Sequence, residues 1–274
     1  MINGYVTSAE FLRWVTPQDT TADAVDDSVI DGIIEAASRY VDGSCSRTFY
    51  PRVETRYYSI PESRELFIDS DLLSVISLAN GDDTAIASTE YNLFPYNKTP
   101  HAGLKLKAGS SYWTADSDGE VEWVIALSAE WGFHNNYAQR GWVSGGTLDG
   151  DITDTTTLAF TMTAGHSLAK DQIIKIDNEL YNVSSVATNE VTPSYRGDNG
   201  STAATHSDLT TAYVWQTQAD ISQAVKLIAQ SLYRRFGHPN QSDESIVTAS
   251  GVIITPKDIP GIAAKTLQLY RQKL

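Results

Sequence analysis

Two apolar stripes of helical period stand near opposite ends of the chain, and between them the period changes to two. Val29, Ile30, Ile33, Ile34, Ala37, Tyr40 and Val41 recur at the i, i+3, i+4, i+7 spacing that paints one face of an α-helix. Far downstream, Ile221, Ala224, Val225, Ile228, Ala229, Leu232, Tyr233 and Phe236 repeat the pattern with better regularity. An amphipathic helix of this length takes most of its stability from burying its apolar face against something else. Each stripe is therefore expected to be the other's partner, so that the chain ends form one helical module and the strand-rich middle is carried between them.

Local signals refine this plan. Thr7-Ser8-Ala9-Glu10 has the form of a capping box and opens a short helix that buries Phe11, Leu12 and Val15. Pro17 stops that helix, residues 18–23 read as a loop, and Asp26 or Asp27 caps the next helix, which ends near Asp42-Gly43. From Glu54 onward strands are expected around Thr55–Ser59, Leu66–Ile68, Val75–Leu78, Tyr91–Leu93, Leu104–Leu106 and Val121–Ile125, separated by turns such as Asn80-Gly81-Asp82-Asp83. The polar, glycine-rich stretch after Phe133 reads as a linker. A second β segment follows, with strands at Leu158–Phe160, Ile173–Ile176, Leu180–Val183 and Glu190–Thr192. Asp220 is expected to cap the second long helix, Gly237 and Pro239 to end it, and a strand-like Val252-Ile253-Ile254 to precede a last helix opening at Pro260.

Charge and cysteine content exclude several classes. A net charge of -14 argues against a phosphate-gripping surface, which needs clustered Lys and Arg, but suits a wall that DNA slides past. Cys45 is the single cysteine, so an internal disulfide or a cysteine-rich metal cluster is ruled out, and a small core filler is expected there. No apolar run approaches the roughly 20 residues needed to span a bilayer, and the first residues lack a secretory pattern, so a cytoplasmic protein without membrane contact is expected.

Catalytic patterns are scarce. Asp116, Asp118 and Glu120 do not fit a twelve-residue calcium loop and read as a solvated turn, as do Asp149, Asp151 and Asp154. The five histidines, His101, His134, His166, His206 and His238, fall in no metal-ligand spacing. Neither a Gly-x-Ser-x-Gly elbow nor a phosphate-cradling glycine loop is present. A non-enzyme without cofactor or metal is the expectation. An acid-pair hydrolase stands as one competitor, since the separation it needs is spatial. A carbohydrate- or receptor-binding β module is the other, motivated by 6 tryptophans and 14 tyrosines able to stack on sugars.

Read together, the two ends resemble the head-tail connector (adaptor, or head-completion) proteins of tailed bacteriophages. The resemblance runs through the junction Ser46-Arg47-Thr48-Phe49-Tyr50-Pro51 and the step Ala129-Glu130-Trp131-Gly132-Phe133. It continues in the helix from Asp220-Ile221-Ser222-Gln223-Ala224-Val225 to Leu232-Tyr233-Arg234-Arg235, and in the closing helix from Ile259-Pro260 to Leu269-Tyr270-Arg271. The interval from about Gly145 to Val214 departs from the pattern and is instead similar to a small β module of phage structural proteins. Arg196-Gly197 and Gly200-Ser201-Thr202-Ala203-Ala204-Thr205-His206 would mark a turn and a returning strand there, with Gly197 at positive φ.

The fold class expected on these grounds is α+β. A discontinuous helical bundle would be formed by residues 1–53 and 216–274, with an antiparallel β region at 54–133, a linker at 134–149 and an additional inserted small β domain at 150–215. The resemblance implies a virion component of the neck, made in the bacterial host cytoplasm. It would form a homo-oligomeric ring, twelve-fold on the portal protein, and present a platform to the tail terminator or next connector while DNA passes without sequence-specific binding. Ile30, Ile33, Ile34, Ala37, Val225, Ile228, Leu232 and Tyr233 would pack the helical module. Val252, Ile253, Ile254, Ile262, Leu269, Tyr270 and Arg271 are the portal-docking candidates, through strand addition or a helix laid in a groove. The alternative for Ile262, Leu269 and Tyr270 is that they complete the helical core.

Overall fold

A computed structural model describes residues 3–16, 27–109, 111–237, 246–247, 253–254 and 259–272, the side chains of 235–237 and of the two short segments excepted. Pro17, residues 18–23, Asp26, His238, Pro239, Val252 and the Phe236 side chain, all named above, lie outside that description. The described residues form an α+β fold with four α-helices and two larger antiparallel sheets, divided into two compact units.

The first unit draws on both chain ends, residues 1–47 and 217–274, together with Lys170–Gln172. Helix α1 (Ser8–Val15) opens with the capping box: the Glu10 amide donates to Thr7 Oγ1 at 3.2 Å and the Thr7 amide to Glu10 Oε2 at 3.1 Å, so two otherwise orphaned donors are satisfied. Helix α2 (Asp27–Cys45) packs on α3 (Ala219–Gly237), and α4 (Gly261–Tyr270) packs on both. The buried face of α2 is Ile30, Ile34, Ala37, Ser38, Val41 and Cys45, and that of α3 is Ile221, Ala224, Val225, Ile228 and Ala229. Tyr40, expected on that face, is exposed because it lies roughly 110° around the helix from the centre of the buried set. Asp220 sits in the first turn of α3 rather than capping it, and its carboxylate accepts from the Ile221 amide and the Tyr270 hydroxyl.

An extended segment before α1 completes this unit. Tyr5 and Val6 are buried; the Tyr5 amide donates to Ser38 Oγ at 3.1 Å, and its carbonyl accepts from Ser222 Oγ at 3.0 Å. Ser38 and Ser222, polar residues on apolar faces, therefore pin the chain start to α2 and α3 by satisfying its backbone. A two-residue ribbon pairs Ile246–Val247 with Ile253–Ile254.

The second unit contains the two larger sheets. Strands β1 (Arg52–Tyr58), β2 (Glu65–Ala79), β3 (Tyr91–Phe94), β4 (His101–Leu106) and β5 (Ile125–Trp131) form one, ordered β1-β5-β2-β4-β3. Leu66–Ile68 and Val75–Leu78, expected as two strands, are one long strand whose register against β4 and β5 shifts at irregularities that break the strict alternation. The strand expected at Val121–Ile125 starts only at Ile125. Gly132 ends it at φ +148°, and a Cβ there would stand 2.7 Å from the Tyr50 carbonyl oxygen, so the Trp-Gly-Phe step needs glycine.

Strands β6 (Trp142–Thr147), β7 (Phe160–Thr161), β8 (Ile173–Ile176), β9 (Glu179–Ala187), β10 (Glu190–Pro193) and β11 (Thr211–Trp215) form the other sheet, ordered β6-β11-β8-β9-β10-β7. The 134–149 interval is thus not all linker. Trp142 pairs with Trp215 and Gly146 with Ala212, with Gly145 the extra residue of a bulge, so the glycines read as linker are bulge geometry. The expected strand at Leu158–Phe160 shrinks to Phe160–Thr161. Leu73, Trp142, Ile173, Leu180 and Trp215, flanked by Tyr50 and Val53, form a core cluster drawing on both sheets, which belong to one compact unit rather than to separate 54–133 and 150–215 domains.

Candidate functional site

The residues of the Arg-Gly and Gly-Ser-Thr-Ala-Ala-Thr-His motifs gather around one buried carboxylate. Glu179, at the start of β9, is fully shielded and accepts from the Arg196 fork, Nε to Oε1 at 2.8 Å and Nη2 to Oε2 at 3.1 Å. The Gly197 amide reaches Oε1 at 2.9 Å and the Ala204 amide reaches Oε2 at 2.8 Å. His206 Nε2 lies 3.0 Å from Oε2 and 3.1 Å from the Tyr181 hydroxyl, and its Nδ1 lies 2.8 Å from Asp177. Arg196 spends its remaining donors on the carbonyls of Asp154, Thr157 and Ala204. Gly197 holds the turn at φ +67°, as expected, with no room for a Cβ against the Ser201 carbonyl.

Electrostatics decides what this cluster can do. Burial alone would raise the Glu179 carboxyl, but the Arg196, Ala204, His206 and Gly197 bonds overcome it and hold the group at about 2. Tyr181 is pushed far above the ordinary phenol range by burial and by the Glu179 charge. A permanently ionised carboxylate whose oxygens are all engaged is a poor proton acceptor, and a phenol that stays protonated is no nucleophile. The cluster pins the 196–206 loop to β9.

Several carboxylates of the acidic runs likewise accept from backbone amides. Asp116 Oδ1 accepts from the Asp118 amide at 2.9 Å and the Glu120 amide at 2.8 Å. Asp154 accepts from the amides and hydroxyls of Thr156 and Thr157, which hold its carboxyl well below the usual range. Asp151 accepts from the Asp208 amide at 2.7 Å. Among the described residues no group of three or more His, Cys, Asp and Glu is placed to hold a metal ion, and no helix is long and apolar enough to cross a membrane. Cys45 is buried, and burial pushes its thiol up to about 11, which leaves it protonated and inert.

Of the residues named for helical packing, Ile30, Ile34, Ala37, Val225 and Ile228 are buried, while Ile33, Leu232 and Tyr233 are half-buried; the Tyr233 ring meets Phe11 edge-on at 5.9 Å. The docking candidates divide. On α4 the buried residues are Ala263 and Leu267, whereas Ile262 is 63% and Leu269 82% exposed, so these two do not complete the core. Tyr270 is held by Asp220, and Arg271 is exposed. Ile253 and Ile254 lie in the short ribbon.

One open groove, of about 320 Å³, was not foreseen from the sequence. It lies beside β3 and β4, and its walls include Tyr91, Asn92, Tyr96, His101, Tyr137 and Arg140. No short-range motif links 91–101 to 137–140; only the density of tyrosines hinted at it. No protein-family model matches the chain, and comparison with curated proteins finds no relative.

Proposed function

We propose that this chain is a non-enzymatic virion protein of the head-tail connector (adaptor, or head-completion) class, forming a ring below the portal of a tailed phage. The observation that carries the reading is the division of the chain: both ends cluster in one helical unit, and the strand-rich middle makes another. It fits the coarse plan of that class, helical chain ends that carry a strand-rich middle between them. In this role α2 and α3 line the ring wall, and identical subunits meet through heterologous contacts that close on themselves, twelve-fold on the portal. The net charge of -14 suits a channel that DNA crosses without adhering.

The docking element under this reading is α4. Its Ala263 and Leu267 are packed, while Ile262 and Leu269 project into solvent from the same helix, as apolar anchors for a groove on the portal. The virion neck is the expected location, with the tail terminator or next connector on the opposite side of the ring. Deletion of the gene in its phage tests this reading. DNA-filled or leaking heads without joined tails are the expected result, and normal infectious particles would overturn it.

A further inference from the structure

The groove beside β3 and β4 differs from its surroundings in chemistry. The chain carries 34 acidic against 20 basic side chains, yet no carboxylate lines the groove and Arg140 does. Among the described residues the Arg140 guanidinium has no ion pair, and the side-chain polar groups of Tyr91, Asn92, Tyr96 and Tyr137 have no hydrogen-bond partner. Donors are thus gathered where nothing in the chain uses them.

His101 adds an acceptor. Its residue is only 3% exposed; Nδ1 lies 3.2 Å from the Pro95 carbonyl oxygen, and a carbonyl can only accept, so the proton sits on Nδ1. Nε2 is left as a buried lone pair without a partner, an arrangement that costs free energy until a donor meets it. Burial pushes the imidazole pKa down, outweighing the Pro95 bond, so the ring stays neutral at physiological pH and Nε2 stays an acceptor. The Tyr137 ring meets His101 edge-on at 6.4 Å between centroids, and both residues line the groove.

We propose that this groove binds an acidic sugar. The ligand class follows from the walls: a carboxylate for the Arg140 fork, ring hydroxyls for Asn92 and the His101 acceptor, and apolar sugar faces for the rings of Tyr96 and Tyr137. A volume of about 320 Å³ accommodates one or two sugar rings. A carboxylate alone would leave the His101 acceptor unmet, and a neutral sugar would leave Arg140 unpaired. The site lies within the strand-rich unit and does not depend on the connector reading.

Titration of the full chain, followed by heteronuclear NMR, with glucuronate, galacturonate and N-acetylneuraminate tests it, with glucose and N-acetylglutamate as comparison arms. At least one acidic sugar is expected to saturate shifts at residues 91–101 and 137–140, and to bind about tenfold or more tighter than either comparison compound. Arg140→Gln should remove the preference over glucose, and Tyr96→Ala, at a 67% exposed position, should weaken the acidic sugar while leaving the fold intact. No shifts with any of the three acidic sugars would overturn the proposal. Equal binding of N-acetylglutamate would overturn it in favour of an acidic peptide, and unchanged binding by both variants would place the ligand elsewhere.

Discussion

Both oxygens of Glu179 are engaged by the Arg196 fork, two loop amides and His206, so removing its charge leaves Arg196 buried beside an amide that cannot pair with it. Breaking one side of a buried ion pair costs on the order of 3–5 kcal/mol, and Glu179→Gln is expected to lower the unfolding free energy by that amount in urea titration. The pH dependence follows from the sign of the shift. The native carboxyl titrates at about 2, below its ordinary 4.5, so its stabilising contribution is complete above 4.5 and is lost as pH falls toward 2. Thermal melts of wild type between pH 6 and 3 should therefore fall more steeply than those of Glu179→Gln over the same range. Gly132→Ala, which adds a Cβ against the Tyr50 carbonyl at a positive φ, is expected to cost roughly 2 kcal/mol or more by the same unfolding measurement. The turn at Arg196-Gly197 was legible through the resemblance to a phage structural β module. That Arg196, Gly197, Ala204 and His206 converge on Glu179 was not, because the partner lies on a different strand and only the fold brings them together.

Among the elements, the long helices were legible because their apolar residues repeat over several turns, whereas β6 was not. Its Gly145-Gly146 bulge removes the alternation that marks a strand, and its partner β11 lies far along the sequence. Hydrogen exchange should show the β6 amides that pair with β11 protected like those of β8; exchange at loop rates would contradict the strand. The start of the chain was missed for a similar reason, since Tyr5 and Val6 are too few to set a period and are held by Ser38 and Ser222 on separate helices. On α4 the apolar residues surround the helix, and only packing decides between them. Leu267→Ala is expected to cost about 2–5 kcal/mol, and Leu269→Ala to stay within about 0.5 kcal/mol, in thermal or urea unfolding.

For the whole molecule, the chain order of helix, sheet and helix makes the first and last segments mutually dependent: the start of the chain bonds to α3, and Cys45 at the end of α2 accepts from the Gln272 amide at 2.9 Å. A truncation before Val252 would strip Ala263 and Leu267 from that helical unit as well as removing the proposed portal anchor, so it would confuse stability with docking. Exposed positions separate the two. The most direct test of the connector role is electron microscopy of the purified protein mixed with its cognate portal ring, comparing wild type with the double variant Ile262→Asp, Leu269→Asp. A new symmetric layer on the portal that forms with wild type and is lost with the variant, whose melting is unchanged, is the predicted result; a portal ring left bare by the wild-type protein would contradict it.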